Sequence, residues 1–458
     1  MKQKIMFITT YHARDFEGHS LIAWYANNKT GIKSVFVSGY GVIAKILKEK
    51  PSLLVIDHLV WDHKKFLVRQ VIEMGIKVVQ LPTEGYFKSP TDLDKIIGYP
   101  EIQNLGLDKY LLWNNSMYDR AKDLVTKSYL ERFRITGNPR FDFYLNPALK
   151  TIIEPEKDFR KRFNIPLGSH IFTYMSTSPY QGYSFKKFHD RYRYNAKYPL
   201  EKIQALHENQ QRLFNNHSSI IARLAKENPN DTFFYKTHPS ERYIKRYEPI
   251  FAGIPNLILI SNENVRPFLM HSDLILQRNC TTALEAWLMG KPVLQVDDDE
   301  NYISENYEEH KKYSYILKDF NAINSFIKAR DYEKWSNKDV NEFLEQRFYT
   351  LDGNAYKRVG DQILSILRSQ TEEQLSEIEK NIELKRIQIN DTPRNKLKAL
   401  LGLKPSTHLN PTYYLKKILP RESSNTNNER DIEHHEVEEV FKKYELYLAP
   451  EKNQKIHE

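Results

Sequence analysis

The sequence predicts an α/β protein with two domains, each a doubly wound parallel sheet, followed by a charged helical tail. Three observations carry this. Short apolar runs alternate with helical patterns at βαβ spacing. The alternation breaks off in a proline-containing, charged stretch near residues 147–166 and then restarts. From Thr371 onward it gives way to two charged helical stretches around a basic segment. A chain of 458 residues has room for two or three domains of about 100–200 residues each.

The first domain is expected over residues 1–150. Its strands are read in KIMFITT, SVFVSG, SLLVIDHL, KVVQLPTEG, KYLLWNN and RFRITG, with helices near residues 20–28, 43–49, 64–74 and 116–125. Gly137, Asn138 and Pro139 are turn formers that end the last of these strands. An interdomain linker is placed at 147–166. The second domain, expected over 151–370, reads HIFTYMSTS, a helix near 200–227, DTFFYKTHP, NLILIS, SDLILQRN, a helix ending at Met289, and KPVLQVDDD. Residues 371–458 form the tail. No repeat of 20–50 residues occurs.

Composition narrows the function classes. Cys280 is the only cysteine, so no disulfide forms within the chain and no cysteine-rich zinc site exists, which suits a reducing, cytoplasmic compartment. The opening MKQKIMFITTYHARD is too short and too interrupted for a signal peptide, and no run approaches the roughly 20 apolar residues of a membrane span. Net charge is +9, and residues 392–421 hold seven basic residues (Arg394, Lys396, Lys398, Lys404, Lys416, Lys417, Arg421) and no Asp or Glu. Mixed with Leu, Ile and Tyr, these charges suit an anionic leaflet, so peripheral contact with the inner face of the plasma membrane is expected there. A basic linker docked on the protein's own surface is the alternative. The tail lacks a nucleic-acid module. P-loop, nucleophile-elbow and zincin signatures are absent.

Candidate chemistry sits where apolar runs end, because ligands of open parallel sheets bind at the carboxyl ends of strands. In KVVQLPTEGYF, Pro82 stops pairing and Glu84 and Gly85 follow. Glu84 has the chemistry of a base or a nucleophile, and Gly85 permits a close backbone approach; an ordinary turn explains the same dipeptide. In YKTHPSE, Pro239 holds His238 extended at a strand tip beside Ser240, where an imidazole can donate to a phosphate oxygen.

In LILQRNCTTALEAWLMGKPV, Asn279, Thr281 and Thr282 precede a helix whose amino terminus favours a phosphate. Thr282 and Glu285 also have the T-x-x-E spacing of a capping box, which accounts for both without a ligand. Arg278 and Arg140 are further candidates for a ligand-facing cleft between the domains, the latter also suited to a linker-anchoring salt bridge with Asp142 or another carboxylate. The run Asp297, Asp298, Asp299, Glu300 has the chemistry for a hard cation but reads better as a solvated loop. His434 and His435 are adjacent, which is the wrong spacing for a helical zinc pair.

Taken together, TEG, TGNPRFD, KTHP, NCTTALEAWLMGKPV and LDGNAYKRVGDQI resemble bacterial surface-carbohydrate biosynthesis proteins over roughly residues 1–368. The resemblance implies a GT-B glycosyltransferase fold. The Glu-Gly and His-Pro pair is similar to motifs of sialyltransferases and Kdo transferases that use CMP-activated sugars. By that likeness Glu84 acts on the transferred sugar or acceptor and His238 holds the nucleotide phosphate, with Pro239, Ser240, Asn279, Thr281, Thr282 and Glu285 near the nucleotide and Gly85, Asn138, Arg140 and Arg278 along the cleft.

CDP-glycerol glycerophosphotransferases share the His-Pro segment but carry His-Gly where this chain has Glu84-Gly85. Sialyltransferases usually have two acidic residues before the glycine, and here the first is Thr83. The resemblance implies a nucleotide-sugar donor, a saccharide or lipid-linked saccharide acceptor, and no metal or other cofactor. A catalytically silent glycan-binding or scaffold protein of the same fold is the reading from another class.

Overall fold

The computed structural model describes the chain except residues 11, 39–40, 60–61, 86–93, 95–99, 193–198, 242, 299–307, 337, 393–431 and 449–458. It divides into two compact units, Met1–Leu149 with Glu345–Glu458, and Lys150–Leu344. Each contains one six-stranded sheet, and every described strand pair in both sheets is parallel.

In the first unit β1 (Lys4–Ile8), β2 (Lys33–Val37), β3 (Leu53–Ile56), β4 (Lys77–Gln80), β5 (Lys109–Leu112) and β6 (Phe133–Ile135) take the order β2-β1-β3-β4-β5-β6. The winding direction reverses between β1 and β3, the kind of position where open parallel sheets place ligands. Helices α1 (His12–Thr30), α2 (Val42–Glu49) and α3 (Asp62–Glu73) make the crossovers between the first four strands.

In the second unit β7 (Ile171–Met175), β8 (Thr232–Lys236), β9 (Leu257–Ile260), β10 (Leu274–Gln277), β11 (Val293–Val296) and β12 (Tyr315–Leu317) are ordered β12-β11-β10-β7-β8-β9. The reversal falls between β7 and β10. Strands β3, β7, β8, β10 and β11 are buried at every residue, as parallel strands covered on both faces must be.

Two boundary expectations are corrected. The expected linker contains the helix Glu156–Phe163, and its Phe159 is fully buried against Phe234, Phe268 and His271 at centroid distances of 5.6, 5.5 and 4.8 Å. Two aromatics on a charged helix, Phe159 and Phe163, invisible as a strand pattern, seat it on the second unit. Residues 345–370, expected with the second domain, belong to the first. There the helix Ala355–Arg368 lies along α1 so closely that a Cβ at Gly360 would stand 2.4 Å from the Tyr25 ring.

The start of that helix explains part of the GNPRFD and LDGNAY segments. Asp142 accepts the backbone N–H groups of Ala355 and Tyr356 at 3.0 and 2.7 Å. Burial nevertheless pushes its carboxyl up to about 7, against those donors. Asp142 therefore caps a returning helix and does not serve as the partner of Arg140. Gly353, at φ +64°, passes Asn146 so closely that a Cβ would meet its backbone nitrogen at 2.6 Å.

The expected separate tail also packs on the first unit. The helix Glu372–Asn390 opens with a Thr371–Gln374 capping box and buries Ile378 and Ile382, with Ile378 over Gly75. The helix His434–Leu448 buries Tyr444, whose hydroxyl lies 3.0 Å from Ser20 and donates to the Glu17 carbonyl, its ring edge-on to Trp24. The basic segment read at 392–421 lies outside the described residues beyond Thr392. Among the described residues, no helix is long and apolar enough to cross a membrane.

Replacing Asp142 by Ala removes the cap from a buried helix start and should cost about 1–2 kcal/mol. Thermal unfolding checks this: a lower midpoint is expected, and an unchanged one refutes the capping role.

Candidate functional site

The first unit gathers ionisable side chains at the carboxyl ends of β1, β3, β4 and β6. After β4 the chain passes Pro82 and Thr83 to Glu84, whose side chain is 35% exposed. The indole of Trp113 fills the space beneath this turn: its Nε1–H donates to the Pro82 carbonyl at 2.7 Å, and a Cβ at Gly85 would fall 2.2 Å from the ring. Gly85 is thus required by Trp113.

From the first turn of α1, Arg14 donates to Glu84 Oε1 at 2.5 Å, to Thr83 Oγ1 at 3.0 Å and to both oxygens of Asp15 at 2.6 and 3.2 Å. Beside them lies a small niche of ≈ 10 Å³, about the room of one water, lined among others by Asp15, His19, Thr83, Asn138 and Arg140. α1 comes so near the β6 turn that a Cβ at Gly18 would stand 3.2 Å from the Arg140 nitrogen. Asn138 donates to the Pro82 carbonyl at 2.9 Å and accepts the Arg140 N–H at 2.9 Å, so it ties the ends of β4 and β6 together.

A buried pair stands at the end of β3, next to the winding reversal. Lys64 donates to Asp57 Oδ1 at 2.5 Å and Thr10 to Oδ2 at 2.6 Å. Burial alone would raise the Asp57 carboxyl, but the charges of Lys64 and His58, with the hydrogen bonds from Lys64 and Thr10, hold it below its ordinary value. Burial drives His58 itself down to about 4, against the pull of Asp57. His19, its Nδ1 3.1 Å from Thr9 Oγ1, is lowered by burial as well, outweighing Asp15 and Asp57.

The second unit holds the His-Pro turn at the end of β8. His238 Nδ1 accepts the Ser240 N–H at 3.1 Å, which leaves the ring proton of the neutral imidazole on Nε2. The turn is anchored by Glu241, fully buried, which accepts the His238 N–H at 3.0 Å, the Tyr247 hydroxyl at 2.7 Å and the Ser176 hydroxyl from the end of β7. Burial pushes the Glu241 carboxyl up to about 7, against these donors and Lys236. Lys236, the last residue of β8, is pushed down by burial to about 8.

At the end of β10, Asn279 takes a left-handed conformation with φ 54°, and Gln277 Oε1 accepts the Cys280 N–H at 2.5 Å. The expected capping box does not form: Thr281 is the N-cap without a side-chain bond, Thr282 donates to Cys280 Sγ at 3.0 Å, and Glu285 is buried. The helix Thr282–Leu288 is only seven residues long. Arg278 is 2% exposed and paired with Asp297, which corrects its reading as a cleft residue. Asp298 accepts from His217 at 2.7 Å, so both described members of the acidic run are engaged within the protein; Asp299 and Glu300 lie outside the described residues. Strands β8 and β10 flank β7, about 10 Å apart, so His238 with Pro239 and Ser240 and the Asn279–Thr282 turn end two strands of one sheet with a single strand between them.

Arg14, Asp15, His19, Asp57, Lys64 and Glu241 were not among the sequence candidates. Asp57 and His58 follow the run SLLVI as directly as Glu84 follows KVVQLP, so the strand-end rule was the available signal. Arg14 and Asp15 open a helix, where periodicity reports a face and not a site.

Two units with six parallel strands each, wound as above, form the GT-B fold. Solved structures share it. A variant of the wall teichoic acid polymerase TagF is 13% identical with a TM-score of 0.52, over 80% of this chain and 90% of that one. TagF with CDPG gives 13% and 0.51 over 80% and 89%. A UDP-GlcNAc 2-epimerase from Neisseria meningitidis gives 15% and 0.49 over 80% and 100%. No family model and no curated protein matches the chain.

A carboxyl whose pKa is higher folded than unfolded binds more protons in the native state, so its contribution to stability is full at low pH and is lost as pH rises through the folded value. For Glu241 that window runs from 4.5 to about 7. The difference in unfolding midpoint between the native chain and Glu241→Gln should therefore shrink from pH 4.5 to 7.5; a constant difference refutes it.

Proposed function

We propose that the protein is a glycosyltransferase that moves a sugar from a CMP-activated donor, such as CMP-Kdo or a related acid, to a hydroxyl of a growing surface polysaccharide. The observation that carries this is Glu84: a partly exposed carboxylate beyond a strand end, held by the Arg14 guanidinium. Acting as base, Glu84 takes the acceptor's proton while the acceptor oxygen bonds to the anomeric carbon. The bond from that carbon to the phosphate oxygen breaks, and its electron pair leaves with CMP. His238 donates Nε2–H to that phosphate, and Ser240 and the Asn279–Thr282 turn provide further donors, an electrostatic role suited to a leaving group. Acting as nucleophile, Glu84 would give the opposite stereochemical outcome, which product analysis reads directly.

Transfer of a polyol phosphate from a CDP-linked donor is the second reading. The fold likeness to a wall teichoic acid polymerase favours it; Glu84-Gly85 in place of His-Gly weighs against it. A panel of CMP, CDP, UDP and GDP in a thermal-shift assay, followed by turnover of the matching activated donors, separates the two. No stabilisation by any nucleotide favours a non-catalytic glycan-binding role.

The basic segment is proposed to hold the enzyme at an anionic membrane surface where a lipid-linked acceptor is presented. Because helices on both sides of it pack on the first unit, the test substitutes its seven basic residues by Gln and leaves the helices in place. Flotation with anionic vesicles should be lost in that variant; equal flotation refutes membrane contact.

Glu84→Gln should lower turnover by about 10²–10⁴-fold with nucleotide affinity intact. His238→Ala should weaken nucleotide binding by roughly 10–100-fold, the worth of a hydrogen bond to a charged group. Retained turnover in the first variant, or unchanged affinity in the second, removes the residue's assignment.

A further inference from the structure

We infer that Arg14 is a positioning residue that sets the orientation of Glu84, and that Asp15 fixes Arg14 in turn. This rests on the reading of Glu84 as the reacting carboxylate. Three groups form a chain running from the interior outward: side-chain exposure is 1% for Asp15, 22% for Arg14 and 35% for Glu84. A guanidinium carries five N–H donors in a rigid plane. Asp15 occupies one edge through Nε and Nη2, while Nη1 donates to Glu84 Oε1 and Nη2 also reaches Thr83 Oγ1. The buried carboxylate thus aims the fork, and the fork's exposed edge grips two consecutive residues of the β4 loop.

The grip is selective at the level of atoms. Oε1 of Glu84 is taken, which leaves Oε2 as the oxygen facing no protein donor among the described residues and available to a substrate proton. The main chain of the same loop is held separately by Trp113 under Gly85 and Pro82. A loop whose main chain is already held in this way does not depend for its fold on a part-buried ion pair near its rim. What the pair adds is direction, and misaligned reacting groups lose about 10²-fold in rate.

The experiment compares Arg14→Ala, Arg14→Lys and Glu84→Gln with the native enzyme. It uses whichever CMP-, CDP-, UDP- or GDP-linked donor the enzyme turns over, and measures kcat, KM, nucleotide affinity and the unfolding midpoint. Arg14→Ala should lose about 10²-fold in kcat, with nucleotide affinity within about twofold, since the nucleotide is assigned to the second unit. Millimolar guanidinium should restore part of that loss in a saturable way, and Arg14→Lys, which keeps the charge without the fork, should fall between.

Native kcat in Arg14→Ala beside an inactive Glu84→Gln overturns the role of Arg14 and leaves Glu84 in place. A loss confined to nucleotide affinity overturns it too. Full activity in Glu84→Gln, or no turnover of any donor by the native enzyme, overturns the reading of Glu84 and this inference with it. Should Arg14→Ala fail to fold, a folded Arg14→Lys with native kcat decides against the inference and one with a clearly reduced kcat decides for it.

Discussion

A parallel strand covered on both faces has nowhere to carry an ionisable side chain except at its ends. This constraint arranges the rest of the molecule. Both sheets have fully buried strands, and ionisable groups stand where the chain leaves the sheet: Asp57 after β3, Glu84 after β4, Lys236 and His238 at the end of β8, Asp297 after β11. Winding reversals between β1 and β3 and between β7 and β10 then open space at those ends.

Buried charge is met in two ways. In the first, opposite charges are paired: Asp57 with Lys64, Asp15 with Arg14. Breaking such a pair leaves an uncompensated charge, so each member holds its partner in place. In the second, Glu241 and Asp142 have hydroxyl or amide donors and, among the described residues, no ion pair at hydrogen-bond range, and burial pushes both carboxyls up to about 7. The first arrangement suits a site that must present charge, and the second suits a loop anchor that needs only acceptors. His238 stands on the second kind of support, which fits a donor to phosphate better than a proton-transfer group.

Much of the fold was legible because parallel strands read as apolar runs whatever their environment. Eleven of the twelve strands coincide with stretches such as SLLVI and DTFFY; β12 was not read, because YIL is short and half exposed. What pattern reading missed was association at a distance. Nothing in LDGNAYKRVGDQI states that Asp142 caps it, and nothing in EVEEVFKKYELYL states that Tyr444 reaches Ser20, because a polar-looking helix conceals a single anchoring aromatic. The site was half legible for the same reason. Glu84 and His238 follow apolar runs, whereas Arg14 matters only through Asp15 and Glu84, a relation fixed by the loop geometry of two separate segments.

Those distant contacts bear on how the candidate site is supported. α1 carries Arg14 and Asp15 in its first turn and is held along its length by elements more than 300 residues away: Ala355–Arg368 through Gly360 and Tyr25, and His434–Leu448 through Tyr444 and an ion pair of His12 with Glu436 at 3.1 Å. Removing the C-terminal residues would therefore strip the helix that aims the Arg14 fork as well as any surface-binding segment between them. A loss of activity on truncation cannot be read as a loss of membrane contact, whereas substitution of the basic residues alone separates the two, because it leaves both supports of α1 in place.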